Sequence, residues 1–467
     1  MIELVKTKSG QIGLIIFHLI LGIAVKYAGS IVAMFYAGVF VLFAIDILLT
    51  RDRDSRAGFY CLYIMGLELV YRVVGAPFSW ELGKYLSILL LVIGLLVGRQ
   101  KNSPYTFVIL LILLIPAFFL AENPDPERLR KMIMFNASGP LSLVFSGFYF
   151  YRRSIPEESF VRQLKFSFLP AFAVCAALSV IANISDIEFT SLQSNPGASG
   201  GFQANQVSSL LGWFILLGLL LKLNRNKITP YEWLDWSVLF YLLLRALLTF
   251  SRGGVMGAIL AIACSVAVLY FSSPLFRKQM KKLMPYILLG IVFLVGVFFV
   301  ANNITNGMLL FRYKGVSTNE MRAGITKHEG SMLTGRDNIM QGDIQAFKEN
   351  PFWGLGLGMG EEYRAMSYGH SVAAHTEYTR LLSEHGTFGL LFMLIGMIIL
   401  PISHFFKEKG VIARYFFVAF LLISMFTMFH AAMRLALPGV VFGASFVHII
   451  SKPKEKKVDL TVSTDSK

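Results

Sequence analysis

Charge is scarce in this 467-residue chain. Asp, Glu, Lys and Arg make up 15% of it, against about 25% in an ordinary soluble domain. That deficit excludes a water-soluble enzyme, and a 55% hydrophobic content with 41 Phe excludes a disordered chain. Cysteine is almost missing. Cys61, Cys175 and Cys264 all fall in apolar runs. None has metal-ligand spacing, and an odd number does not make a disulfide framework, so they read as small hydrophobes. Internal repeats are absent. So are the alternating segments of about 10 residues that build a membrane β-barrel.

What is present is a series of apolar blocks about 16–22 residues long, enough for a helix to cross a bilayer core. About fourteen are expected, at 11–25, 31–49, 58–75, 83–98, 105–120, 132–151, 166–184, 206–222, 234–250, 253–271, 284–301, 386–405, 412–430 and 434–450. The expected fold is an all-α polytopic membrane protein. Lys6 and Lys8 precede the first block as in a signal peptide. No small-residue cleavage site follows and a second block begins at once, so an uncleaved first helix is expected.

The net charge of +15 reflects orientation rather than nucleic-acid binding. With the N-terminus cytoplasmic, the connections on that side hold Arg51, Arg53, Arg56, Arg152, Arg153, Arg162, Lys165, Lys407 and Lys409, among others. The short connections on the far side hold only Lys26, Lys84, Arg128, Arg130, Lys131 and Arg434. Both termini are then cytoplasmic, and the segments 185–205 and 302–379 are extracytoplasmic. The organisation expected is eleven helices over 1–301, an extracytoplasmic loop over 302–385, three helices over 386–450 and a basic disordered tail over 451–467. Within the loop, Met340, Ile344 and Phe347 make an apolar stripe along an amphipathic helix from Arg336 to Asn350. Pro351 ends it, and Gly354, Gly356, Gly358 and Gly360 follow.

Chemistry concentrates on the same side. Arg245 and Arg252 stand two helical turns apart, and a charge within a span costs at least about 2.5–3.5 kcal/mol. They fit a phosphate site, because guanidinium binds phosphate bidentately, or else snorkelling and ion pairing. Gly253 and Gly254 would let an anionic head group approach the backbone. Arg336 opens the amphipathic helix and by itself reads as a solvated charge. His375 is placed as a general base, or is a passive loop histidine. His370, His375 and His385 lack the spacing of a helical zinc pair. Glu68 and Arg72, at i and i+4, read as an intramembrane ion pair. Asn205 and Gln206 bind sugar hydroxyls or cap a helix.

At these residues the sequence resembles the bacterial O-antigen ligase and polymerase superfamily. Ser251-Arg252-Gly253-Gly254 is similar to the family's Ser-Arg-Gly element. Gly335-Arg336, an amphipathic helix, and Pro351-Phe352-Trp353-Gly354-Leu355-Gly356-Leu357-Gly358 resemble its Gly-Arg…Pro-x-x-Gly-x-Gly-x-Gly element. The run from His375 through Tyr378 and Glu384 to Leu390 resembles its His-Asn-x-Tyr…Glu-x-Gly-x-x-Gly-Leu element. Gly201-Phe202-Gln203-Ala204-Asn205 is a weaker match to a Gly…Pro-Asn element, with Ala204 replacing the proline. Thr376 replaces the usual Asn. The matching stretch is roughly 195–395, in the family's order.

The resemblance implies a GT-C-like helical bundle in the bacterial inner membrane, with its active site facing the periplasm and a lateral opening for a polyprenyl tail. It implies a glycosyltransferase whose donor is an undecaprenyl-diphosphate-linked glycan, with no metal, no other cofactor and no nucleic acid. Arg252, Arg336 and Arg245 would bind the diphosphate, His375 and Arg336 would act in catalysis, and Tyr378, Glu384 and Asn205 would orient the histidine or bind sugar. The span count favours a polymerase of lipid-linked repeat units. A ligase to lipid A-core is the alternative, and a lipid-linked oligosaccharide flippase a more distant one. A chain-length regulator is a candidate partner.

Overall fold

The computed structural model describes residues 2–99, 104–324, 336–369 and 373–450. The expected disordered tail, Gly335 and His370 lie outside the described residues. Eight helices among the described residues are long and apolar enough to cross a membrane: Lys8–Tyr27, Gly29–Thr50, Pro126–Phe150, Glu157–Ile181, Ala204–Leu223, Arg252–Ser272, Glu377–Lys407 and Val411–Ala431. Leu82–Val97, Tyr105–Phe119 and Gly290–Ile304 are apolar but shorter. This is an all-α polytopic integral membrane protein. Of the Ala204–Leu223 window 83% is buried, against 33% for Lys8–Tyr27, so the first is a central helix and the second peripheral. The peripheral helices expose Ile16, Ile20, Leu42 and Leu49, an apolar outer face suited to lipid.

The expected blocks from 11–25 to 412–430 each overlap a helix. The last block, 434–450, differs. Its helix Leu437–Ser445 has 9 residues, a rise of about 14 Å. Gly439 and Gly443 press it against the helix Pro126–Phe150, where an added Cβ would stand 2.1 Å from Ser142 Oγ and 2.4 Å from Ser146 Cβ. Small residues four apart let two helix backbones meet in this way. The chain then ends in a strand, His448–Ile450, paired in parallel with Ser154–Pro156, so a two-stranded element is added to the all-α expectation.

Contacts sort the loops into two groups at opposite ends of the bundle. In one, Asp52 accepts from Arg153 at 2.6 Å and Tyr149 at 2.8 Å. There, too, Arg152 N–H reaches the Phe446 carbonyl, and Glu408 meets His448 at 2.8 Å. These are the loops rich in Lys and Arg. The other group gathers the 74–81, 120–136, 182–205, 302–324, 336–369, 373–376 and 432–436 segments.

The long segment folds over that second end. The helix Arg336–Glu349 matches the expected amphipathic helix to within a residue. Its buried Asp343 pairs with Arg364 and accepts from Thr379 at 2.7 Å. Burial pushes the Asp343 carboxyl up, and the Arg364 guanidinium opposes that. The helix expected to start at 386 begins at Glu377 and breaks at Gly386, φ 58° and ψ −134°. The break frees the Ser383 and Glu384 carbonyls, which accept from Leu355 N–H at 2.8 Å and Gly356 N–H at 3.0 Å. Gly354 and Gly356, at φ 75° and 97°, make this possible. A Cβ at Gly354 would stand 2.6 Å from the Glu384 carbonyl oxygen.

Candidate functional site

A cavity of about 370 Å³ opens at this second end, between Arg72, Glu81, Asn205, His375 and Arg434. Its construction begins with Arg72, in the last turn of the helix Arg56–Val73. Arg72 pairs with Glu68 at 2.6 Å and donates to Gln206 Oε1 at 3.0 Å and to the Arg434 carbonyl at 2.7 Å. Glu68 accepts from Ala436 N–H at 2.8 Å through its other oxygen. Lys84, paired with Glu81, donates to the Met433 carbonyl at 3.1 Å. Glu377, paired with Arg380, accepts from Met433 N–H at 3.1 Å. Four buried charged side chains thus grip the backbone of residues 433–436. Charge-assisted bonds in a low-dielectric interior are the strong kind. They hold Ala432 at φ 50°, ψ −160°, a region that alanine seldom adopts.

The product of this grip is the placement of Arg434. Its guanidinium lies 4.6 Å from the Phe135 ring centroid and donates to the Ala374 carbonyl at 3.0 Å. His375, the next residue, is half-buried on the cavity wall. Asn205 faces it from the start of the helix Ala204–Leu223. The Asn205 Oδ1 accepts from Ser251 Oγ at 2.9 Å, and Ser251 Oγ bonds His430 Nε2 at 2.9 Å. The Ser-Arg-Gly junction is therefore tied directly to the cavity wall. Trp80 and Phe202 stack at 5.8 Å beside it, and Trp80 is exposed. An aromatic face next to amides and cations suits a sugar bearing an anionic group.

Of the residues singled out in the sequence, the structure brings His375 and Asn205 into one cavity. Arg245 is buried elsewhere and donates to the Ala182 and Ala198 carbonyls at 2.8 and 3.1 Å, bracing the 182–198 segment. Arg252 is half-buried and donates to the Arg312 carbonyl at 3.3 Å. It follows Ser251 in the chain and is not among the residues that line the cavity. The Arg336 backbone opens its helix, and its side chain lies outside the described residues. Tyr378 donates to the Met425 carbonyl at 2.8 Å, and Glu384 pairs with Arg380 at 3.2 Å. Neither lines the cavity. Among the described residues, no group of three or more His, Cys, Asp and Glu is placed to hold a metal ion.

Two readings change. Gly253 and Gly254 do not offer open backbone. Added Cβ atoms would stand 1.9 Å from His430 Cδ2 and 1.8 Å from the Ser208 carbonyl oxygen, so both glycines serve helix packing. The ion pair read for Glu68 and Arg72 forms, at 2.6 Å, and Arg72 also lines the cavity, while Arg434, which reads as a loop charge, lines it too. The signal for Arg434 was available: it is the single charge between two apolar runs, where charge is costly.

Residues 237–394 match the sequence model of a family described as O-antigen ligase. The matched stretch holds the Ser-Arg-Gly junction, the amphipathic helix, the glycine series and His375. The resemblance of the chain to the O-antigen ligase and polymerase superfamily therefore stands. No curated protein gives a match.

Proposed function

We propose that this chain, similar to the O-antigen ligase family over residues 237–394, is a membrane glycosyltransferase with its active site in the Arg434–His375 cavity. The observation that carries the reading is the placing of a histidine among cations, amides and an exposed tryptophan in that cavity. The donor is an undecaprenyl-diphosphate-linked glycan presented on the periplasmic face of the inner membrane, and both chain termini are cytoplasmic.

His375 accepts the proton of an acceptor hydroxyl as that oxygen attacks the anomeric carbon. The new glycosidic C–O bond forms as the bond from that carbon to the phosphate oxygen breaks on the opposite face. The diphosphate leaves with the bonding pair, and the configuration inverts. Arg252 and Arg336 stabilise the developing negative charge, a role a metal ion fills elsewhere. Arg434, which the resemblance does not include, adds a fixed guanidinium beside His375.

The product is proposed to be a lengthened glycan on lipid diphosphate, made from repeat units. The same cavity serves a ligase if the acceptor is lipid A-core. The test is a reconstitution with an undecaprenyl-diphosphate-linked repeat unit, EDTA present, beside His375→Ala. A ladder of lipid-linked glycans, lost in the variant by about 10²–10⁴-fold, supports the polymerase. Product only after lipid A-core is added supports the ligase. Movement of the lipid across vesicles without any transfer overturns both.

A further inference from the structure

The opposite end of the bundle carries a second cavity, also of about 370 Å³, which the transferase chemistry does not use. It is lined by Arg152, His404, Lys407, Glu408, Lys409, Gly410 and His448. We propose that this cavity binds the phosphate group of an anionic phospholipid from the adjoining leaflet.

The cations come from two places in the chain. Arg152 lies in the bend between the helix Pro126–Phe150 and the strand Ser154–Pro156, at φ 55°, with its N–H on the Phe446 carbonyl. Lys407 ends the helix Leu400–Lys407, and Lys409 follows in the connection to Val411–Ala431. Arg152, Lys407 and Lys409 make no ion pair among the described residues, and all three are exposed. The single carboxylate, Glu408, is already committed. It accepts from His448 Nδ1 at 2.8 Å and from Gly410 N–H at 2.8 Å. The cavity is left with a surplus of positive charge.

A second observation is independent of those charges. His404 is 6% exposed, packed beside Phe417 and Phe446 at 4.8 and 5.1 Å, and its buried Nε2 has no hydrogen-bond partner among the described residues. A buried polar nitrogen on a cavity wall calls for a partner. Gly410 is also the N-cap of the 21-residue helix Val411–Ala431, whose positive end faces the same space. The acyl chains have a path as well. Ile398, Ile402 and Phe406 are exposed at i, i+4 and i+8, an apolar stripe that runs to the cavity rim. That stripe selects a lipid over a free anion.

The experiment uses delipidated full-length protein, native mass spectrometry and thermal unfolding, with phosphatidylglycerol, phosphatidylcholine or inorganic phosphate added. Phosphatidylglycerol is expected to give a retained adduct and a raised Tm, and phosphatidylcholine neither. Arg152→Gln is expected to weaken the adduct on the order of fivefold, and Arg152→Gln/Lys407→Gln/Lys409→Gln on the order of 100-fold. If the triple variant does not fold, the single variant decides. Equal retention of phosphatidylcholine, or unchanged phosphatidylglycerol binding in the variants, overturns the proposal. A full Tm shift with inorganic phosphate alone overturns the lipid assignment. None of these readouts depends on glycosyl transfer.

Discussion

The Arg434 guanidinium donates to the carbonyl of Ala374, 3.0 Å away, and so is bonded to the residue before His375. An arginine held by its own backbone is thereby linked to the segment that carries His375, the proposed general base. Removing it deletes a cation from the cavity and an anchor from the histidine. Arg434→Ala is expected to lower kcat/KM for glycosyl transfer by about 10²-fold, the usual loss for one preorganised donor. Arg434→Lys is expected to recover only part, because an ammonium lacks the planar fork. Activity of Arg434→Ala within twofold of the parent would remove Arg434 from the site.

The grip on residues 433–436 depends on charges that satisfy one another in a buried setting. Glu68→Gln leaves Arg72 without its counter-charge, and breaking such a pair from one side costs about 3–5 kcal/mol. A marked fall in Tm is expected. The double variant Glu68→Gln/Arg72→Met is expected to recover part of that loss, since no unpaired charge remains. Equal Tm values for the single variant and the parent would mean that the pair is not a structural element.

Ala432 offers a test in the opposite direction. A non-glycine residue at φ 50° stores about 1–3 kcal/mol of backbone strain. Ala432→Gly is expected to raise Tm, and Ala432→Val to lower it, because a β-branched side chain tolerates positive φ least. If glycine also reduces transfer, the strain is part of how Arg434 is aimed. A lower Tm in Ala432→Gly would show that the geometry carries no strain.

Much of this architecture is legible in the sequence, because the bilayer imposes a length on each apolar block and a bias on each loop. The amphipathic helix from Arg336 follows from local pattern, whereas the helix expected to start at 386 begins at Glu377 and breaks at Gly386, and the meeting of His375 and Asn205 in one cavity comes from the fold. The placing of Arg72 and Arg434 on the cavity wall does not follow from local pattern either. Arg72 reaches Gln206 and the Arg434 carbonyl, 134 and 362 residues away, and Arg434 reaches the Ala374 carbonyl, 60 residues away. No local periodicity encodes such contacts. Arg245 shows the converse: its cost of burial marks it as important, but only the fold reveals that its partners are the carbonyls of Ala182 and Ala198.

The end of the bundle that carries Glu408 is expected to respond to acid. Glu408 lies outside the helices, where burial pushes its carboxyl up but the His448 hydrogen bond and the Gly410 N–H outweigh that and hold it below its ordinary value. A group whose folded-state pKa is depressed adds stability at pH values above its unfolded pKa and loses it as the pH falls through the folded value. The parent is therefore expected to lose part of its Tm below about pH 4.5, the ordinary carboxylate range. Glu408→Gln is expected to have a lower Tm at pH 7 and a flatter profile between pH 6 and the acid limit. Parallel profiles for the two proteins, offset by a constant, would show that the contact between Glu408 and His448 is not a titrating link.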